Sequence, residues 1–420
     1  MPRPPFRPNS RPVRASRSQS LAQAGPTFPK EWNQVFDTLI PSLVKSRFSP
    51  KDSWKDKPFS DLDCRFFTKG IVELSEHFTT ERDDGVGTRR TRLGPYFSQA
   101  KYRSSYLLYF LPLQAAKFVA LLQMHPDALE PFLTASPTPE AHRVLDVGAG
   151  PGTASLGLTL ELLRRCGPGR FPKIQFTWVD SNREILEDGK AIFEKLFGAF
   201  PALREKIQIE AIAGDWLSGL RLPDKKYSMI LLGNVLNELS GTELQSEKRF
   251  DMLADLFSHA GGAGVLVVEP AEKNSSQILG RLRDRFFEAG VFPTETTSVW
   301  GPCLHAGRCP LANAKDWCHF SVPVEIPGKW FAKFSKALGS ERDWLKFSYL
   351  WLASQEHPNA DPRPELRRVV SDPMRDRDGG HTILLCEPDQ TFRLRLHPTQ
   401  RIHRGELIER PAVAAAPRKK

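Results

Sequence analysis

The sequence predicts an α/β protein, with a Rossmann-like domain built on a mostly parallel sheet. A helical domain precedes it, and a small cysteine-rich, partly β region follows. Three observations carry this. The apolar run Val144-Leu145-Asp146-Val147 ends in the glycine turn Gly148-Ala149-Gly150-Pro151-Gly152, and a helical pattern from Ser155 to Arg165 follows. From there to Trp300 short apolar runs alternate with helical patterns, as they do when crossovers build a parallel sheet. Beyond Trp300, Cys303, Cys309 and Cys318 fall close together, with Cys386 far along the chain.

Taken in order, residues 1–30 form a basic arm. Arg3, Arg7, Arg11, Arg14, Arg17 and Lys30 stand without one acid among prolines and serines that prevent a stable core, so the arm is expected to be disordered. It suits RNA phosphates or an organelle transit segment, although its prolines oppose the amphipathic helix that a transit segment usually forms. Residues 31–139 are a helical domain and linker. Val35, Leu39, Ile40, Leu43 and Val44 recur at helical spacing, as do Phe66, Phe67, Ile71, Leu74 and Phe78. Arg82, Arg89, Arg90 and Arg92 crowd one loop, which is either simply solvated or a grip for a phosphate backbone. The apolar stretch Tyr106 to Met124 is interrupted by Pro112, Gln114 and Lys117, so it reads as core helix and no membrane is implied.

Residues 140–300 are the Rossmann-like domain. Its strands are Val144–Val147, Ile174–Val179, Ile207–Ala213, Tyr227–Leu232 and Gly264–Pro270, and Leu244–His259 and Ser275–Ala289 are helices between and after them. Glycines let the backbone pass close to a ligand, and the helix terminus offers unpaired N–H groups, so the turn suits a nucleoside-containing cofactor. The pattern is G-x-G-x-G and lacks the G-x-G-x-x-G spacing of a pyrophosphate site, which argues against NAD. Asp180, at the end of the second strand, suits the two ribose hydroxyls; Asp215, after the third, suits an adenine edge. The candidate cofactor contacts are Asp146, Gly148, Gly150, Gly152, Asp180, Asp215 and Asn234. From Asp146 to Glu269 this series resembles the class I S-adenosylmethionine-dependent methyltransferases, which implies that fold and S-adenosylmethionine as cofactor.

Residues 301–397 are a cysteine-rich region with a β-hairpin, and residues 398–420 a basic tail. Thiolates are soft ligands for iron–sulfur clusters and zinc, and Gly- and Pro-rich turns let several sulfurs converge. The spacing of Cys303, Cys309 and Cys318 matches neither a zinc ribbon nor a compact ferredoxin run, so spacing leaves the metal open. His305 and His319 could complete a zinc site with the three local cysteines; Cys386 could complete a four-thiolate one. Cys64 and Cys166 read as packing or surface thiols.

Taken together, Leu93 to Tyr96, Val144 to Gly152, Val235 to Leu239, Glu269-Pro270, the cysteine array with Asp316 to Phe320, Lys346 to Leu350 and the late Cys386 carry a second resemblance. The sequence is similar to the small-ribosomal-subunit methyltransferase-like family of mitochondria and bacteria, the Rsm-twenty-two type that includes the methyltransferase-like seventeen proteins. That resemblance implies a methyltransferase-like fold with a [4Fe-4S] cluster on Cys303, Cys309, Cys318 and Cys386. It also implies association with the small ribosomal subunit during its assembly.

Charge agrees with an anionic partner: the net charge is +10, and Arg393 to Lys420 holds eight Lys or Arg against two Glu. Lys329, Lys333 and Lys336 around Trp330 and Phe334 read either as an RNA-binding alternation or as an amphipathic surface helix. No catalytic base stands out. Gly233-Asn234-Val235-Leu236 takes the place of an N-P-P-Y segment, and Glu238, in the first turn of a helix, suits helix stabilisation as well as base chemistry. The expected function is a small-subunit assembly or translation factor that binds rRNA and is monomeric when free; the alternative is an active S-adenosylmethionine-dependent rRNA methyltransferase with a structural metal site. The expected location is the cytoplasm of a bacterium, or alternatively the mitochondrial matrix.

Overall fold

A strand that is apolar on both faces must be covered by helices on both sides. Strand β1 (His142–Val147) accordingly lies inside the sheet, parallel to β2 (Ile174–Asp180) on one side. The computed structural model describes residues 25–80, 96–134, 140–215, 225–238, 243–291, 299–339, 343–353 and 366–409. The chain runs outward through β2 to β3 (Ile207–Ala213), then returns past β1 to β4 (Met229–Gly233) and β5 (Val265–Glu269), all parallel. The order β3-β2-β1-β4-β5 therefore switches direction between β1 and β4. Open α/β sheets hold ligands in the crevice beyond the strand ends at such a switch point. Here that crevice lies beside Gly148 and Asn234.

The sheet continues past residue 300, where the sequence placed a domain boundary. Strand β8 (Trp344–Leu352) runs antiparallel to β5, with Val265 opposite Leu352 and Glu269 opposite Ser348. Strands β6 (Val299–Gly301) and β7 (Phe320–Pro323) pair with β8 in turn. Side chains alternate across a strand, so Phe347, Tyr349 and Trp351 enter one core layer while Leu350 and Leu352 enter the other. Parallel strands finished by an antiparallel one form the class I methyltransferase arrangement. A second, antiparallel sheet follows: β9 (Leu366–Val369), β10 (Met374–Arg375), β11 (His381–Glu387), β12 (Gln390–Leu396) and β13 (Leu407–Glu409). The expected hairpin is β11 and β12, turned at Pro388-Asp389 with Asp389 at positive φ.

Several segments differ from the sequence reading. Residues 25–30, expected in the disordered arm, pack on the fold: Thr27 exchanges hydrogen bonds with Gln123, and the Phe28 ring lies 4.3 Å from that of Trp32. Helix Lys329–Ala337 buries Trp330, Phe331 and Phe334, so its aromatics are core and unavailable for stacking on bases. In the expected basic tail, Ile402 and Ile408 are buried and Arg404 donates to the carbonyls of Trp317 and Val370. The linker contains the short helix Glu130–Leu133, with Phe132 buried. Residues 1–24, the arginine-rich loop 82–92 and residues 410–420 lie outside the described residues.

The helical run Ala100–Met124 is long and apolar enough to cross a membrane by composition alone, but 83% of its most apolar window is buried in the core. It packs against helix Thr153–Cys166, which follows the glycine turn, and so fixes the helical region to the sheet. One ionic junction reinforces this. Asp188, 1% exposed, accepts from Arg103 Nε at 2.9 Å and pairs with Arg47 at 3.0 Å, while Arg103 also donates to the Phe97 carbonyl. Burial raises the Asp188 pKa and the two guanidinium groups oppose that shift. Asp188→Ala should cost about 3 kcal/mol in denaturant unfolding, because two partly buried cations lose their partner. A loss below about 1 kcal/mol would show that water replaces the carboxylate.

Candidate cofactor pocket and metal centre

Gly148, Gly150 and Gly152 all adopt positive φ, at 61°, 54° and 73°, which L side chains rarely tolerate. They serve different purposes. A Cβ on Gly148 would lie 2.4 Å from Val235 Cγ2, and one on Gly152 would strike the Trp178 ring at 2.4 Å. At Gly150 the nearest atom is Phe97 Cε2 at 3.9 Å, so the backbone there faces open space. Two glycines are needed for packing, and the middle one leaves room for a ligand.

The carboxylates divide in the same way. Asp146 is 1% exposed, and its Oδ2 accepts from the Ser155 backbone N–H at 3.0 Å and hydroxyl at 2.7 Å. Burial raises its pKa to about 7. Its bonds to Ser155 stitch β1 to the following helix, so it braces the turn from beneath. Asp180 is less enclosed: Oδ2 accepts from Gly150 N–H at 2.8 Å and Oδ1 from Asn182 N–H at 2.9 Å. Burial raises its pKa too, against the lowering effect of those two backbone donors. Asp215 is exposed just beyond β3, one strand over from Asp180.

Across the crevice, Asn234 adopts φ 59° and donates its N–H to Val268 O at 2.8 Å. Its Oδ1 and that of Asn237 are buried without hydrogen-bond partners. The loop between them is held from below, since Glu269 accepts from Leu236 N–H at 2.8 Å and Asn237 N–H at 3.2 Å. Arg249 Nε donates to Leu236 O at 3.2 Å.

The sequence reading missed an aromatic cluster beside the glycine turn. Tyr96, Phe97 and Tyr106 come from the helical region: Tyr96 Oη lies 3.4 Å from Glu238 Oε1, and Tyr106 Oη 3.4 Å from Thr153 Oγ1. Burial pushes the Tyr106 phenol up to about 12, and Glu238, Asp180 and Asp146 add to it, so the phenol sits in a negative field. Periodicity does not separate aromatics beside a crevice from those of the core.

The cysteine array forms a second centre. Cys303, Cys318 and Cys386 line one cavity with His305 and Arg368, about 260 Å³ including its mouth. Cys309 stands beside them: burial pushes its thiol up to about 12 and Cys303 adds to the shift. Burial also raises Cys318 and Cys386, each further raised by Cys303 and Cys309, while Arg283, Arg368 and Arg404 oppose the shifts. The structure thus brings together all four cysteines singled out in the sequence. Asp284 accepts from the Cys309 N–H at 2.9 Å, and Asp389 at the hairpin tip exchanges bonds with Arg308. Of the two candidate histidines, His305 Nε2 lies 3.4 Å from Cys386 Sγ, whereas His319 stacks on Trp317 and is not among the cavity's lining residues. Among the described residues, no three His, Cys, Asp or Glu side chains form a group that would hold a single metal ion.

A family model described as mitochondrial small ribosomal subunit Rsm22 matches residues 103–412. The chain belongs to the Rsm22 family. The Rsm22 match takes in the glycine turn, the loop at Asn234 and all four cysteines of the array. No curated protein matches. Among solved structures, the chain is similar to the CMeT domain of a citrinin polyketide synthase (17% identity, 50% of this chain and 48% of that one, TM-score 0.28). It is also similar to the plantazolicin methyltransferase BpumL in complex with SAH (12%, 75% and 95%, TM-score 0.27). A third is an O-methyltransferase family protein from Burkholderia thailandensis (13%, 69% and 73%, TM-score 0.30). The chain spans about half the length of the first of these. The fold assignment rests on strand order and register.

Two outcomes test the glycine turn and its brace. Gly152→Ala should destabilise the protein by about 2 kcal/mol or more, through both backbone strain and the Trp178 ring; Gly150→Ala should cost about 1 kcal/mol and remain folded. Equal melting temperatures for the two variants would refute that division. For Asp146, a folded pKa of about 7 against 3.8 unfolded means that the native state holds the extra proton between those values. Its contribution to stability therefore falls as pH rises from about 4 to about 7. Subtracting the stability of Asp146→Asn from that of wild type across this range should show the falling slope; a flat difference would mean that the Ser155 donors cancel the effect of burial.

Proposed function

We propose that this Rsm22-family chain binds S-adenosylmethionine at the β1–β4 crevice, holds a [4Fe-4S] cluster on its four array cysteines and serves the mitochondrial small ribosomal subunit through rRNA. The observation that carries the reading is the pairing of an open backbone at Gly150 with the Asp180 carboxylate on the adjacent strand, in a chain of this family. Asp180 accepts the ribose hydroxyls with the lone pairs left over from its two backbone donors, and Asp215 meets the adenine edge. The orphaned Asn234 Oδ1 supplies an acceptor for the cofactor's ammonium group. S-adenosylmethionine bound there carries an electrophilic methyl group. The family's description favours the mitochondrial matrix over the bacterial cytoplasm.

The donor set supports a cluster: three sulfurs around one cavity, a fourth beside it, and three buried arginines near enough to offset thiolate charge. The loop between β6 and β7 and strand β11 would be tied together by it. Net charge of +10 supports a polyanionic partner. A second reading, active methyl transfer to rRNA, is favoured by the Tyr96–Glu238 contact beside the crevice, which places a carboxylate next to a phenol.

Protein purified without oxygen should contain iron and sulfide in equal amounts, enough for one cluster, and Cys386→Ser should lose most of both. Stoichiometric zinc, or full iron in Cys386→Ser, would overturn the four-cysteine cluster. S-adenosylhomocysteine should bind by calorimetry, about tenfold or more weakly to Asp180→Ala, because a charge-assisted hydrogen bond is worth about 1.5–3 kcal/mol. Equal affinity would remove Asp180 from the site. Methyl incorporation into small-subunit rRNA that Glu238→Gln abolishes would establish the second reading.

A further inference from the structure

Strand β8 stands between the two centres and touches both. On one edge it pairs with β5, which ends in Glu269, the residue whose carboxylate fixes the Leu236 and Asn237 amides at the cofactor pocket. On its other side it pairs with β6 and β7. Cys303 lies two residues after β6, and Cys318 two residues before β7. Two of the four cysteines therefore hang from strands that hydrogen-bond directly to β8.

The side chains tighten this connection. Ser348, opposite Glu269 in the register, is buried, and its hydroxyl lies 3.1 Å from the Cys318 carbonyl. The same hydroxyl contacts the Ser276 hydroxyl, which bonds back to Glu272 O at 2.7 Å. With the Ser276 proton given to Glu272 O, the single Ser348 proton must serve both Cys318 O and Ser276 Oγ. The position of the Cys318 carbonyl thus decides how the two serines bond. A second tie runs parallel: Trp317 Nε1 donates to Ala271 O at 2.8 Å, two residues beyond Glu269. Trp317 thus holds the turn that follows β5 directly at Ala271, and Cys318 reaches the same turn through Ser348 and Ser276 at Glu272.

We propose that β8 couples the cysteine centre to the cofactor pocket, with Ser348 and Trp317 as positioning residues that set the loop 234–238 through Glu269. The proposal rests on the assignment of the two centres given above. Occupying the cysteines fixes Cys318 and its carbonyl; the tie through Ser348 and Trp317 then holds the β5 end, and Glu269 presents its oxygens to the Leu236 and Asn237 amides. Asn234, whose N–H is held by Val268 O one residue before Glu269, shares the same support. By linkage, a ligand in the pocket favours the ordered cysteine centre by the same factor.

The test is amide hydrogen exchange at Leu236 and Asn237, together with S-adenosylhomocysteine binding, in full-length protein purified without oxygen. Wild type is compared with the same protein after metal removal, with Ser348→Ala, and with Trp317→Phe, which keeps the ring and loses the N–H donor. Metal removal and both variants should speed exchange at these two amides, and weaken S-adenosylhomocysteine by about tenfold, while amides of β1 to β3 keep their protection. In a Glu269→Gln background, adding Ser348→Ala should change nothing further. Unchanged exchange at Leu236 and Asn237, acceleration spread evenly over the sheet, or additive effects with Glu269→Gln would each overturn the coupling. If wild type takes up neither metal nor S-adenosylhomocysteine, the assignment of the centres fails, and exchange in Ser348→Ala and Trp317→Phe still decides whether β8 transmits.

Discussion

The antiparallel pairing of β8 with β5 is the constraint on which the rest of this structure depends. An interior strand satisfies backbone groups on both edges and carries side chains into both core layers, so it cannot be displaced without exposing all of them. Trp351 shows how firmly β8 is seated: it is fully buried, and its indole N–H donates to Ala263 O at 2.6 Å. Because β6 pairs with Trp351 and Leu352 and β7 with residues 344–347, the chain between them must leave the sheet and return to it along the same strand. The cysteine loop is therefore an extension of the Rossmann-like sheet, with the second sheet docked against it.

Buried carboxylates do the positioning at the pocket. Asp146 braces the glycine turn, Glu269 braces the loop after β4, and Asp188 binds the helical region to the helix after β2. Each accepts backbone or guanidinium donors, which is the condition under which a buried acid is tolerated. Nearer the crevice, Asp180 accepts from the Gly150 and Asn182 amides, and Glu238 from the Tyr96 hydroxyl.

The cysteine centre solves a different electrostatic problem. Four cysteines in one place would repel one another if ionised, and burial raises the thiols of Cys309, Cys318 and Cys386. The counter-charge comes from Arg283, Arg368 and Arg404, all buried and each anchored to carbonyl oxygens of the surrounding loops. These guanidinium groups are held whether or not the sulfurs are ionised, so the positive surroundings are built in advance. The hairpin tip also bonds to Arg308 independently of Cys386, so the second sheet does not hang on its sulfur alone.

The strand, the glycine turn and the helix after it were legible in the sequence because their causes are local: apolar runs, and positive φ that glycine adopts freely. The gathering of Cys303, Cys309, Cys318 and Cys386 was also foreseeable from thiol chemistry and family resemblance, although spacing alone left the ligand set open. Other features were decided by pairings between distant segments. Strand β8 looked like part of an appended region because its sequence does not record that β5 is its partner. The aromatics of Lys329–Ala337 turned inward, and Arg404 became a structural residue, because burial depends on what each face meets. Tyr96 and Tyr106 came to lie against Glu238 and Thr153 for the same reason. The sequence determined by itself which local pieces form and what chemistry they carry; the tertiary structure decided which pieces share a site, because contact across the sheet is set by non-local strand order and register.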